Sequence, residues 1–124
     1  VFLATFDQTL HTSGPQVDID GTDQKLFGEI LGLAPVKEAH FAANFGHLMG
    51  GYDAGYYGYL WAEVFADDLF TRFKQQGVLD PETGRRYREL ILARGRSVEP
   101  DVLLRDFLGR EPSNAAFLQK IGIQ

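Results

Sequence analysis

From Asp53 to Gln76 the chain sets an apolar or aromatic residue on almost every side of a helix and contains no proline. Tyr56, Tyr59 and Glu63 share one face at i, i+3 and i+7, while Leu60, Trp61, Val64, Phe65, Leu69, Phe70 and Phe73 occupy others. Spacings of three and four specify an α-helix, and a helix apolar over so much of its circumference belongs inside a protein. The expected helix starts at Asp53 or Ala54, with Asp53 as N-cap, and runs to Lys74 or Gln76 before Gly77. It is expected to be central and mostly buried. Gly58 costs such a helix about 1 kcal/mol relative to alanine, so a close neighbour or ligand is expected to need the space.

The rest of the chain reads as further helices of the same kind. Apolar positions 2, 3, 6 and 10 give an amphipathic helix over residues 1–11, ended by Thr12-Ser13-Gly14-Pro15. Residues 13–21 read as an exposed acidic loop. Asp18 and Asp20 lack the rest of a calcium-binding loop and its terminal Glu. Thr22 or Asp23 caps a second helix over residues 23–31, with Gly32 past its end and Pro35 forbidding continuation. Residues 34–53 have no clean period, and a loop that long is usually functional. Asp80, Pro81 and Glu82 start a fourth helix that runs to about Ala93. Ser97 opens a fifth, with Leu103, Leu104, Phe107 and Leu108 inward and Gly109 as its stop. Ser113 caps a short last one. No strand pattern is present. The expected fold is all-α, about six helices with a long glycine-rich loop, forming a single helical region over residues 1–124.

Length and composition narrow the function. The chain has 124 residues, 44% of them hydrophobic and 23% charged, and no Cys. That suits one folded domain, removes thiolate nucleophiles and thiolate metal sites, and favours a reducing compartment. No apolar run reaches the length of a membrane span and no signal peptide is expected. A net charge of −5 argues against nucleic acid as a partner. Val1 has no Met before it and no capping residue precedes the first helix, so the chain is expected to be cut from a longer one.

The chemical candidates concentrate between Asn44 and Glu63. This stretch holds His47, Tyr52, Tyr56, Tyr57, Tyr59, the sole Trp and Met, and five glycines including Gly50-Gly51. Paired glycines let a backbone turn sharply and approach a ligand closely, and tyrosines beside them offer phenol donors on rigid rings. Core aromatics with satisfied hydroxyls are the plain alternative for Tyr52, Tyr56 and Tyr59. A phenol or imidazole N–H aimed at a developing oxyanion is the functional one. His11, His40 and His47 do not form H-E-x-x-H and are not expected to make a metal site by themselves. No G-x-S-x-G elbow and no phosphate-binding loop is present. Asp67-Asp68 reads as a solvated pair, and Arg85, Arg86 and Arg88 as an exposed face.

The string FGHLMGGYDAGYYGYLWAEVFADD, Phe45 to Asp68, resembles the thimet oligopeptidase, neurolysin, oligopeptidase A and dipeptidyl carboxypeptidase family of zinc metallopeptidases. The resemblance continues through Arg72 to Gly95 and Asp106 to Ile123, and more weakly at Ala4 to Thr12. The form of the sequence around Gly50-Gly51 and Asp53 looks more like the thimet oligopeptidase and neurolysin branch than the bacterial carboxydipeptidases.

The resemblance implies a large helical clamshell whose deep channel admits only short peptides. Zinc would be held by two His of an H-E-F-G-H motif and a later Glu, all upstream of Val1. This chain would be the C-terminal part of the catalytic domain and bind no zinc itself. Tyr59 would donate a hydrogen bond to the scissile carbonyl oxygen, assisted by His47. Tyr52 and Tyr56 would grip substrate backbone, and Gly50-Gly51 would let the loop move. The expected partners are short peptides and the upstream remainder of the polypeptide, in the cytoplasm or an organelle such as the mitochondrion. Taken alone, the piece would be inactive and would expose apolar surface near the first helix and the tyrosine face, with self-association or an unsettled 34–55 loop as the expected result. The rival expectation is a stand-alone helical module that binds a protein partner through its aromatic surface.

Overall fold

A computed structural model describes residues 1–123, and among them the regular structure is entirely helical: seven α-helices with short 3-10 and π turns. The chain divides into two compact units, Val1–Leu60 and a second from Trp61 onward.

In the first unit, α1 (Phe2–Thr12) packs against α2 (Ile19–Leu31), and α2 against the short α3 (Phe41–Asn44). Phe2, Phe6, Phe45 and Leu48 form its buried centre, with Leu26, Phe27, Ile30 and Phe41 against them. The rings meet in series: Phe2 stacks on Phe6 at 6.0 Å, meets Phe27 edge-on at 5.6 Å, and Phe41 stacks on Phe45 at 5.4 Å. Such pairings add to the free energy of burying the rings themselves. Helix α2 starts four residues before its expected start. Asp18, not Thr22 or Asp23, is the N-cap: its carboxylate accepts the Gly21 N–H at 3.0 Å. Asp20 then lies in the first turn, at the positive end of the helix dipole. The acidic loop is therefore shorter than expected, and Gly32, at φ 66°, ends the helix as anticipated. The expected long irregular stretch is broken by α3 and by a 3-10 turn at Gly46–Leu48.

Asp23 itself is buried, and its Oδ1 has no hydrogen-bond partner among the described residues. Burial, and secondarily the charge of Asp20, push its carboxyl pKa above the usual 3.8. The folded state therefore holds this proton more tightly than the unfolded chain. Its stabilising contribution is complete below about pH 3.8 and is lost as pH rises through the raised value. Asp23→Ala is expected to stabilise the protein at pH 7 by about 1 kcal/mol, because an unpartnered buried polar group is costly. Urea unfolding between pH 4 and pH 7 should show a flatter stability profile for the variant; a less stable variant at pH 7 would contradict this.

Helix α4 (Gly58–Gln76) begins four to five residues later than its pattern suggests and is not mostly buried. Only Val64 and Asp68 of its residues are buried, and Trp61 is 56% exposed. In the second unit, Phe65, Leu69 and Phe73 of α4 pack on Leu104, Phe107 and Leu108 together with Tyr87, Leu90 and Ile91. Asp80 caps α5 (Pro81–Tyr87) as expected, accepting the Thr83 N–H at 2.7 Å, with Pro81 in the first turn. The helix continues as one π turn, Arg88–Leu92, so it reaches the expected end near Ala93. Arg85 bridges Glu82 and Glu89 on the exposed side. Helix α6 (Pro100–Leu108) starts after Glu99. Ser97 lies in a separate 3-10 turn, because Pro100 takes the first-turn position that needs no N–H. Its four expected inward residues are all buried. Asn114 precedes α7 (Ala115–Lys120) in the cap position, while the Ser113 hydroxyl accepts the Ala115 N–H.

Asp68 corrects the expectation of a solvated acidic pair. It is 1% exposed, and its carboxylate accepts Arg110 Nη1 at 3.0 Å, Arg110 Nη2 at 2.5 Å and the Ser113 N–H at 2.7 Å. Asp67 alone faces outward, toward Lys120 at 3.1 Å.

Candidate functional site

The candidate residues other than Tyr59, which stands at the start of α4, sit on a loop whose turns are fixed one by one. The 3-10 turn Gly46–Leu48 buries Leu48 in the core and leaves His47 half-buried beside it. Gly50 and Gly51 then reverse the chain. A Cβ at position 50 would stand 2.6 Å from the Gly46 carbonyl oxygen, and Gly51 has φ 80°. Neither position takes another residue without backbone movement.

The segment Tyr52–Tyr57 forms turns, not the first turn and a half of α4, and the cause lies in α1. Asp7 is fully buried; its Oδ1 accepts the Ala54 N–H at 3.0 Å and its Oδ2 accepts the Tyr56 N–H at 3.0 Å. Gln8 Nε2 donates to the Ala54 carbonyl at 2.6 Å. Ala54 is held at φ 55°, outside the right-handed helical region. Asp53 therefore caps nothing of α4. On its other side Asp7 meets His11, whose Nδ1–H donates to the Asp7 backbone carbonyl at 2.8 Å and lies 3.0 Å from Oδ1. The hydrogen bond to that carbonyl, reinforced by the Asp7 charge, holds the His11 pKa above 6.5.

This framework gathers four of the candidate side chains. The His47 ring meets Tyr56 at 5.0 Å, Tyr59 at 5.8 Å and Tyr52 at 6.1 Å between centroids, each edge to face. Tyr59 Oη lies 3.4 Å from His47 Nε2. Tyr56 also stands against Phe45 at 5.1 Å, which ties the cluster to the core. Tyr52 and Tyr59 are 42% and 52% exposed, so neither is an interior aromatic. The space demanded at Gly58 is taken by a neighbour: a Cβ there would lie 3.1 Å from the Tyr52 hydroxyl.

An open hollow of about 590 Å³ runs beside the cluster, lined by Leu3, Asn44, Phe45, Gly46, His47, Gly50 and Tyr56. A more apolar hollow of about 700 Å³ lies between Leu10, Ile19, Ala42 and Met49 and includes none of the candidate residues. Chemically, the cluster presents a phenol O–H and an imidazole next to one another, open to solvent, with two more phenols adjacent. Such groups can donate to an oxygen that is gaining charge.

Among the described residues, no three His, Asp or Glu side chains converge to hold a metal ion. The histidines are separated in role: His11 on Asp7, His40 on Asp20 at 2.8 Å, and His47 on the tyrosines. The residues that the sequence did not mark are Asp7 and Gln8. An acid directly after Phe6 in an apolar helical stripe, with His11 four residues on, was the available signal.

The chain is thus a helical one that carries a tyrosine and histidine surface on a glycine-turned loop, and comparison with known proteins identifies the class. Peptidase family M3 matches residues 1–123. The chain is 37% identical over 123 residues to the thimet-like oligopeptidase of Dictyostelium discoideum, covering 98% of this chain and 18% of that protein. It is 48% identical over 125 residues to oligopeptidase A of Haemophilus influenzae, with 95% and 18% covered. It is 49% identical over 82 residues to saccharolysin of Saccharomyces cerevisiae, with 65% and 12% covered. The chain belongs to peptidase family M3, and it spans less than a fifth of the length of these relatives. No helix among the described residues is long and apolar enough to cross a membrane.

Proposed function

We propose that the chain is the C-terminal, substrate-binding part of a zinc-dependent oligopeptidase that hydrolyses short peptides. The observation that carries this is the meeting of Tyr59 and His47 at 3.4 Å on an exposed surface, between Tyr52 and Tyr56, in a chain of a peptidase family. In this role Tyr59 donates its phenol hydrogen to the scissile carbonyl oxygen as negative charge develops there. His47 supports the same oxygen and holds the phenol in place. Tyr52 and Tyr56 bond to substrate backbone, and Gly50-Gly51 permits the loop to close over it.

Among the described residues no three His, Asp or Glu side chains converge, and on this proposal zinc belongs to the remainder of the polypeptide, which is the chain's first partner. Residues 1–124 then act as one helical region of that larger catalytic domain. The acidic charge disfavours nucleic acid as a partner, and the absent cysteines favour a reducing compartment, the cytoplasm or the interior of an organelle.

The test compares the whole protein with the isolated 124-residue chain on short fluorogenic peptides in the presence of zinc. The whole protein is expected to cleave them and the isolated chain to show no rate. The isolated chain is also expected to self-associate in sedimentation, because Tyr57, Trp61, Phe70 and Leu79 are all exposed. Cleavage by the contaminant-free chain would refute the division of labour. No cleavage by the whole protein would refute the function.

A further inference from the structure

We propose that Asp7 is a positioning residue for the tyrosine and histidine site, which it sets by holding the backbone at Ala54 and Tyr56. This rests on the function proposed above and extends it to a residue far away in sequence. A carboxylate with no exposure needs strong partners, and among the described residues no Arg or Lys pairs with Asp7. It has the Ala54 N–H, the Tyr56 N–H and the His11 ring instead. Two of those three partners are loop backbone.

The loop is held away from its easiest conformation. Ala54 sits at φ 55°, where residues with a side chain are uncommon, and such a residue persists only when its surroundings over-determine it. Asp7 and Gln8 together bond both the N–H and the carbonyl of Ala54. The constraint then passes on: Tyr56 N–H is fixed by Asp7, and the Tyr56 carbonyl accepts the Tyr59 N–H at 3.2 Å. Tyr59 thus stands one hydrogen bond beyond a backbone group that Asp7 holds. Misplacement of a reacting group by about 1 Å can cost about a hundredfold in rate.

The experiment is steady-state kinetics of the whole protein carrying Asp7→Asn, Tyr59→Phe, or both, below the melting temperature of each. An amide of the same size can accept only one of the two N–H groups and turns a donor toward the other. Asp7→Asn is expected to lower kcat about tenfold or more with KM changed less than about threefold. In the Tyr59→Phe background the same change is expected to cost less than about twofold, because its effect passes through Tyr59. An unchanged kcat in Asp7→Asn, or an undiminished loss in the double variant, would overturn the proposal. Amide hydrogen exchange at Ala54 and Tyr56 reads the tether independently of catalysis, with faster exchange expected in Asp7→Asn and unchanged exchange counting against it. Full activity in Tyr59→Phe alone would instead defeat the catalytic role given to Tyr59. Should Asp7→Asn fail to fold, Gln8→Leu cuts the second tether: a severalfold lower kcat supports the proposal and an unchanged one overturns it.

Discussion

Replacing Tyr59 by Phe in the whole protein is expected to lower kcat/KM for a short peptide by about a hundredfold to a thousandfold. That is the usual cost of deleting one donor to a developing oxyanion, about 2.7–4 kcal/mol. The loss should fall on kcat, since the bond strengthens only as charge builds on the carbonyl oxygen. Folding should barely change. Tyr59 is half exposed, its ring stays, and its one hydroxyl contact is the long 3.4 Å approach to His47. A melting temperature near wild type with a collapsed kcat would identify the phenol as a group used in the reaction. A variant with unaltered kcat would remove Tyr59 from the mechanism.

Arg110→Ala should destabilise the second unit by about 3 kcal/mol in urea unfolding. Asp68 is buried, and Arg110 supplies two of its three hydrogen bonds, at 3.0 and 2.5 Å. Without the guanidinium the carboxylate keeps only the Ser113 N–H and carries an uncompensated charge in the interior. Breaking a buried pair from one side costs about 3–5 kcal/mol. The lower end is expected because Arg110 is itself 43% exposed, so water reaches the vacated space. Asp68→Asn/Arg110→Ala removes the orphaned charge and should recover part of the loss. Arg105→Ala is the contrast: its partners Asp101 and Glu111 are both exposed, so its loss should be much smaller. Equal effects at positions 105 and 110 would contradict the role given to Asp68.

What could be read without coordinates follows the distance over which each feature is determined. The start of α5 at Asp80-Pro81 and the inward stripe of α6 were legible because the cap, the proline and the apolar spacing lie within one or two turns. So were the stops at Gly32 and Gly109, both left-handed. The start of α2 was misplaced because two stretches could cap it, and the earlier one, at Asp18, lengthens the helix. The start of α4 was not legible: the groups that open it into turns lie on α1, and the Asp7 to Ala54 bond spans 47 residues. Asp68 was misread for the same reason, since Arg110 is 42 residues on. The burial of α4 was overestimated because hydrophobicity on every side does not say which sides find a partner. The tyrosines and His47 could be named from the motif they share with the peptidases. Their mutual distances could not, because the motif does not contain Asp7.

That separation bears on how a shortened version of this polypeptide would behave. A version beginning after Thr12 would keep each tyrosine, both hinge glycines and His47, and would lose the carboxylate and the amide that bend the chain at Ala54. Residues 53–57 would lose the side-chain tethers that keep them off the front of α4, and the core on which Tyr56 rests would lose Phe2 and Phe6. The phenols would be carried around the helix axis, away from the imidazole. Possessing the motif and possessing the site are different properties, and a dozen residues remote from the motif decide between them.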